Sequence, residues 1–216
     1  MKAYIAEFIG TFTLVFIGCA SVALAPAGTG PIVPALAHGL ALMSAIYAVG
    51  HISGAHVNPA VTVGVAIAGA IGWGRAVCYI VAQILGALVA ALILSGILPG
   101  QAANFGAFSF NAATISSGSA LLLEAVLTFF LVSVVLQAAV AGKAGPAVGL
   151  AIGLTLGASI LAGGPLTGAS LNPARTLGPA IVAGNLSQVG VYIIGTVLGG
   201  AVAALVHRHV LGIDRA

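Results

Sequence analysis

Apolar residues run almost unbroken along this chain, interrupted at intervals by clusters of Gly, Pro and polar residues. Breaking the sequence at those clusters leaves six long apolar segments, at about 4–24, 32–50, 76–98, 119–140, 146–162 and 188–206. None alternates apolar and polar residues as a half-exposed strand does, so each is expected to be a helix. All approach the length of about 17–25 residues that crosses a bilayer core. The first segment, IAEFIGTFTLVFIG, flows into the rest without a clear cleavage site and is expected to be retained as a span. Two further segments, Pro59 to Ala68 and Pro173 to Ala183, stay apolar for too few residues to cross a core of about 30 Å. They are expected to be half-helices that enter from opposite faces and meet at the midplane. The fold class expected is therefore an all-α membrane protein of six transmembrane helices plus two re-entrant half-helices.

Composition agrees with a lipid-embedded chain: of 216 residues, 61% are hydrophobic and 4% charged, against about a quarter charged in soluble domains. Many of the 31 glycines fall inside the spans, where small residues let helix backbones approach. With the N-terminus inside, Lys2, Arg75, Lys143, Arg208 and Arg215 all fall on the cytoplasmic side, which fixes the expected orientation and places both termini there. The net charge of +3 comes from these residues and suggests a basic membrane rim, not a nucleic-acid surface. Only Arg175 is left over. Cys19 and Cys78 lie in spans without metal spacing and are expected to be buried, inert thiols. No HExxH or similar ligand pattern occurs, and Ser170 lacks the setting of a hydrolase nucleophile, so no metal, cofactor or enzymatic site is expected.

The chain contains an internal repeat. SGAHVNPAVT at 53–62 matches TGASLNPART at 167–176 in six of ten positions, an offset of 172 − 58 = 114. Upstream, Glu7 and Thr11 in EFIGT correspond to Glu124 and Thr128 in EAVLT, an offset of 124 − 7 = 117. The expected organisation is a single membrane domain with a first repeat at 1–98, a connecting outer loop at 99–118 and a second repeat at 119–206. An odd number of spans per half inserts the halves with opposite orientation. Asn at the N-cap and Pro at the first helical position start each half-helix, so Asn58, Pro59 and Ala60 should face Asn172, Pro173 and Ala174 at the pore midplane. Irregular backbone at that depth is tolerated where it is buried or lines a water-filled path. Two converging amides and two positive helix ends would hold a water oxygen from both sides, interrupting a proton-conducting chain and repelling cations.

At these residues, and over nearly the whole chain, the sequence resembles the aquaporin, or major intrinsic protein, family: AEFIGT, GHISGAHVNPAVT and LTGASLNPARTLGPA carry the likeness. The resemblance implies a right-handed helical bundle, usually a homotetramer with one pore per subunit, conducting water and small neutral solutes across the bilayer. It places Arg175 in an outer selectivity filter with His38, Ile160 and Ala169, and Phe105 of the third outer loop near it. In the first repeat the position of Arg175 is occupied by Val61, so the two ends of the path are expected to differ. Strict water channels typically pair Phe with His where this chain has His38 and Ile160. The set looks like that of tonoplast intrinsic proteins, which implies a wider constriction passing ammonia, urea, hydrogen peroxide or glycerol as well as water. Glycerol facilitators usually follow their Arg with Asp, where this chain has Thr176, so a dedicated glycerol facilitator ranks second. A secondary transporter shares inverted repeats and broken helices but needs a titratable coupling site. Glu7 and Glu124 are expected to brace the re-entrant loops rather than relay protons, and His56 to brace the first loop. The short chain points to a prokaryotic plasma membrane.

Overall fold

A computed structural model describes residues 1–99 and 108–212. Six long helices appear where the apolar segments lie: α1 (Lys2–Leu24), α2 (Ile32–Ser53), α4 (Trp73–Ile97), α5 (Ser117–Val135), α6 (Val148–Thr167) and α8 (Val189–Val206). Among the described residues six helices are long and apolar enough to cross a membrane, α5 and α8 being extended by π-helical turns at Leu136–Val140 and His207–Leu211. Two short helices complete the fold, α3 (Pro59–Ile67) and α7 (Pro173–Val182). Their 9 and 10 residues reach about 15 Å, half a bilayer core.

The helices run past several of the expected ends. Helix α6 continues through Gly163, Gly164 and Pro165 to Thr167, because in lipid a helix is the cheapest way to satisfy backbone groups and neighbouring helices tolerate one missing N–H. Helices α2 and α6 stop at Gly54 and Gly168, which adopt φ values of 89° and 81°. That left-handed turn suits glycine and releases the chain into the loop before each half-helix.

Packing links the halves crosswise. Half-helix α3 lies mainly against α8 of the second half, and α7 against α4 of the first. The contacts are close because equivalent positions carry glycine: a Cβ on Gly64 would stand 3.1 Å from the Gly200 carbonyl oxygen, and one on Gly178 would stand 2.7 Å from that of Ala87. Gly39 of α2 and Gly153 of α6, themselves 153 − 39 = 114 apart, meet closely: a Cβ on Gly39 would come within 2.7 Å of the Gly153 oxygen. Large apolar side chains such as Leu36, Val77, Leu122 and Leu154 are exposed around the perimeter, as expected of a surface facing lipid. Cys19 is buried, but Cys78, expected to be buried, is exposed: it lies near the start of α4, and a span buries only the face turned to the bundle.

Replacing Gly178 with Val should force α7 away from the α4 backbone. Overpacking of this kind costs about 1–3 kcal/mol, so the purified variant should melt several degrees below wild type in detergent. An unchanged melting curve would show slack at this crossing.

Candidate functional site: the facing half-helices and Arg175

Each re-entrant loop is strained and held from behind by a buried carboxylate. Ala55 and Val57 in the first loop, and Ala169 and Leu171 in the second, have φ between 46° and 55°, a left-handed region costing non-glycine residues roughly 1–2 kcal/mol each. Glu7 offsets this in the first loop. Its Oε1 accepts from Ser53 Oγ at 2.7 Å and the His56 amide at 2.9 Å, and its Oε2 from the Val57 amide and Gln83 Nε2, both at 2.7 Å. Glu124 does the same in the second loop, accepting from Thr167 Oγ1 at 2.8 Å and from the Ser170 and Leu171 amides at 3.0 Å. Tyr79 and Tyr192 add matched donations to the carbonyls of Ser53 and Thr167. The His56 side chain reaches Thr62 Oγ1 at 3.2 Å and packs edge-on against Tyr79; Ser170 makes the equivalent contact with Thr176 at 2.6 Å.

Beyond the loops the half-helices start at the two asparagines. Asn58 Oδ1 accepts from the Ala60 amide at 2.8 Å, and Asn172 Oδ1 from the Ala174 and Arg175 amides at 3.0 and 3.3 Å. Each amide group then donates across the molecule: Asn58 Nδ2 to the Leu171 carbonyl at 2.7 Å, Asn172 Nδ2 to the Val57 carbonyl at 2.9 Å. An NH₂ group has two protons, so one on each remains after this exchange. Pro59 and Pro173 occupy the first helical position, with Ala60 and Ala174 buried behind them.

Both asparagines border a chamber of about 20 Å³ that also touches His56, Val61, Ser170 and Arg175 and is otherwise walled by Leu, Ile and Val. A water needs roughly 10–15 Å³ by this measure, so the chamber has room for about one molecule. Wider cavities lie beyond it: about 360 Å³ on the Arg175 side, bordered by Phe108, Ile160 and Gly168, and about 430 Å³ on the Arg75 side, bordered by Ser53, His56 and Tyr79.

Arg175 is 2% exposed and borders both the chamber and the larger cavity beside it. Its Nε donates to His38 Nε2 at 2.6 Å, and its guanidinium carbon stands 3.9 Å from the centre of the Phe108 ring. His38 Nδ1 faces the Pro34 carbonyl at 2.7 Å. A carbonyl only accepts and a guanidinium only donates, so the imidazole is held neutral with its proton on Nδ1. Arg175 Nη1 is buried without a hydrogen-bond partner among the described residues. Among the residues expected around Arg175, Ile160 borders the larger cavity, while Ala169 and His38 are fully buried, His38 meeting the path through its bond to Arg175. Phe105 lies outside the described residues; Phe108, three positions later, is the loop residue stacked on the guanidinium.

Residues 1–207 match the family described as Major intrinsic protein. The chain belongs to the major intrinsic protein family. Aquaporin NIP1-3 of Oryza sativa subsp. japonica is 40% identical over 98% of this chain and 74% of its own length. Probable aquaporin TIP3-2 of Arabidopsis thaliana is 41% identical over 98% of this chain and 84% of its own length. The aquaglyceroporin of Plasmodium falciparum shares the fold, with a TM-score of 0.82 at 27% identity over 97% of this chain and 96% of that one. Like the family, this chain is an integral membrane channel rather than an enzyme. The expected likeness to tonoplast-type proteins fits these relatives, though the NIP-type protein is equally similar. Both are plant proteins and lend no support to the prokaryotic plasma membrane expected from chain length.

Several contributors escaped the sequence reading, among them Ser53, Tyr79, Gln83 and Phe108. The repeat offset held a signal for some: Tyr79 and Tyr192 are 192 − 79 = 113 apart, as Ser53 and Thr167 are 167 − 53 = 114 apart. Arg208, read as a loop charge, donates from Nη1 to the Ile67 carbonyl at 2.8 Å and caps the far end of α3.

Changing Glu124 to Gln turns one acceptor oxygen into a donor that opposes the amides of the second loop. Hydrogen bonds to charged acceptors contribute about 1.5–3 kcal/mol each. The variant should lose at least that much stability on thermal denaturation and much of its water flux. Full flux with wild-type stability would remove Glu124 from the bracing role.

Proposed function

We propose that the chain forms a passive pore for water and small neutral solutes, with the midplane at Asn58 and Asn172 and a filter built on Arg175, His38, Ile160 and Ala169. The observation that carries this reading is the one-water chamber bounded by two asparagines at the starts of opposed half-helices. A water there meets the remaining amide protons and two positive helix ends, so its oxygen points to the asparagines and its protons point away. A hydrogen-bonded file of water reverses direction at that point, which blocks proton relay, and the same potential repels cations.

Arg175 supplies the second barrier. Its fixed positive charge excludes cations, and Nη1, without a partner among the described residues, offers a donor to the oxygen of a passing solute. Aliphatic side chains at Ile160 and Ala169, in place of an aromatic wall, favour urea, ammonia, hydrogen peroxide or glycerol as further cargo. The named aquaglyceroporin relative keeps a glycerol-conducting reading open as the second choice. A coupled carrier has little to work with, because both intramembrane carboxylates are engaged by loop donors. The reading includes cytoplasmic termini, from the basic residues at one membrane face, and a homotetramer, the family's usual assembly. The division into repeats at 1–98 and 119–206 joined by 99–118 belongs to it too, supported by the matched loops.

Stopped-flow light scattering on proteoliposomes tests the reading. Wild type should shrink fast with weak temperature dependence, then swell again with urea or glycerol as the osmolyte. Arg175→Val should widen the solute range and weaken cation exclusion, and a variant identical to wild type in both would remove Arg175 from the filter.

A further inference from the structure

Gly18 lies on α1 between Leu14, which borders the chamber, and Val22, which borders the cavity beside Arg175, and faces the His38 ring. A Cβ built on it would overlap Nε2 and Cδ2 of that ring and would stand 2.7 Å from Cε1. Nε2 is the atom that accepts from Arg175. Nδ1 is engaged by the Pro34 carbonyl. The imidazole is thus located by two hydrogen bonds and by a stretch of helix that lacks a side chain.

We propose that Gly18 is a specificity-determining residue of this channel, a niche in α1 that keeps His38 beside the path and thereby sets the orientation of Arg175. The proposal rests on the reading of Arg175 as the filter. A side chain at position 18 would take the space of Nε2. Helix α1 has little freedom to retreat, because the next residue, Cys19, is fully buried in a cluster with Val15, Ala87 and Ala174. The ring must then move off α1 toward Arg175, or Arg175 must give up its acceptor. Each outcome puts polar bulk beside a chamber that holds about one water. The passage narrows, and solutes larger than water lose permeability first.

The test compares wild type, Gly18→Ala, His38→Ala and the double variant in proteoliposomes, reading urea and glycerol permeability against that of water. Gly18→Ala should lower both ratios by roughly fivefold or more, the effect of about 1 kcal/mol on a barrier. The double variant should recover them, since the ring that the methyl group displaces is gone. If Gly18→Ala is recovered poorly as folded protein, the same logic applies to yield, and restoration by His38→Ala again supports the niche. Unchanged ratios in Gly18→Ala overturn the proposal. So does a deficit that persists in the double variant, because alanine would then disturb helix packing and not the ring. Wild-type vesicles with no water flux above bare lipid would overturn the channel reading itself, a result distinct from a normal wild-type flux with an insensitive Gly18.

Discussion

The structure depends on the exchange of hydrogen bonds between two asparagines and the carbonyls of the opposite loops. Hydrocarbon offers no partners to a broken backbone, so a chain that stops being helical at mid-depth must satisfy every exposed group from within. Asn58 and Asn172 do this with one side chain each: the oxygen starts a helix, and one amide proton ties down the other loop. Neither loop has its geometry without the other. The amide protons left over are therefore held in place by both halves at once, so they meet a water without first having to reorient.

Around this centre the two halves use one frame with different fittings. Glu7 and Glu124, Tyr79 and Tyr192, and Gly64 and Gly178 occupy matched places and do matched work. Along the path the halves differ, His56 corresponding in the repeat to Ser170 and Val61 to Arg175. Framework positions must satisfy backbone and packing demands that the inversion makes identical. Path positions face the solute, and there the two ends diverge.

This division also explains what the sequence disclosed. Spans and half-helices were legible because lipid restricts the backbone to helices and because Asn-Pro marks a helix start. Glu7 and Glu124 stood out because they precede their asparagines by similar intervals, 58 − 7 = 51 and 172 − 124 = 48 residues. The extension of α6 through Gly163, Gly164 and Pro165 was not, since it reflects neighbouring helices and not local propensity. The burial of His38 behind Arg175 was equally hidden, because it depends on which α1 residue the ring meets across the bundle. The stacking of Phe108 on the guanidinium follows from the course of the outer loop, which no periodicity encodes.

The crosswise packing of the half-helices bears on how the chain is made. During synthesis α3 emerges long before α8, the helix it chiefly packs against, and its cap Arg208 comes later still. Before residue 172 is made, the first loop has no Asn172 to hold its Val57 carbonyl. The contacts that complete the first re-entrant segment are therefore supplied by residues made after it. Its completion is a late event of assembly, timed by the last helix to arrive.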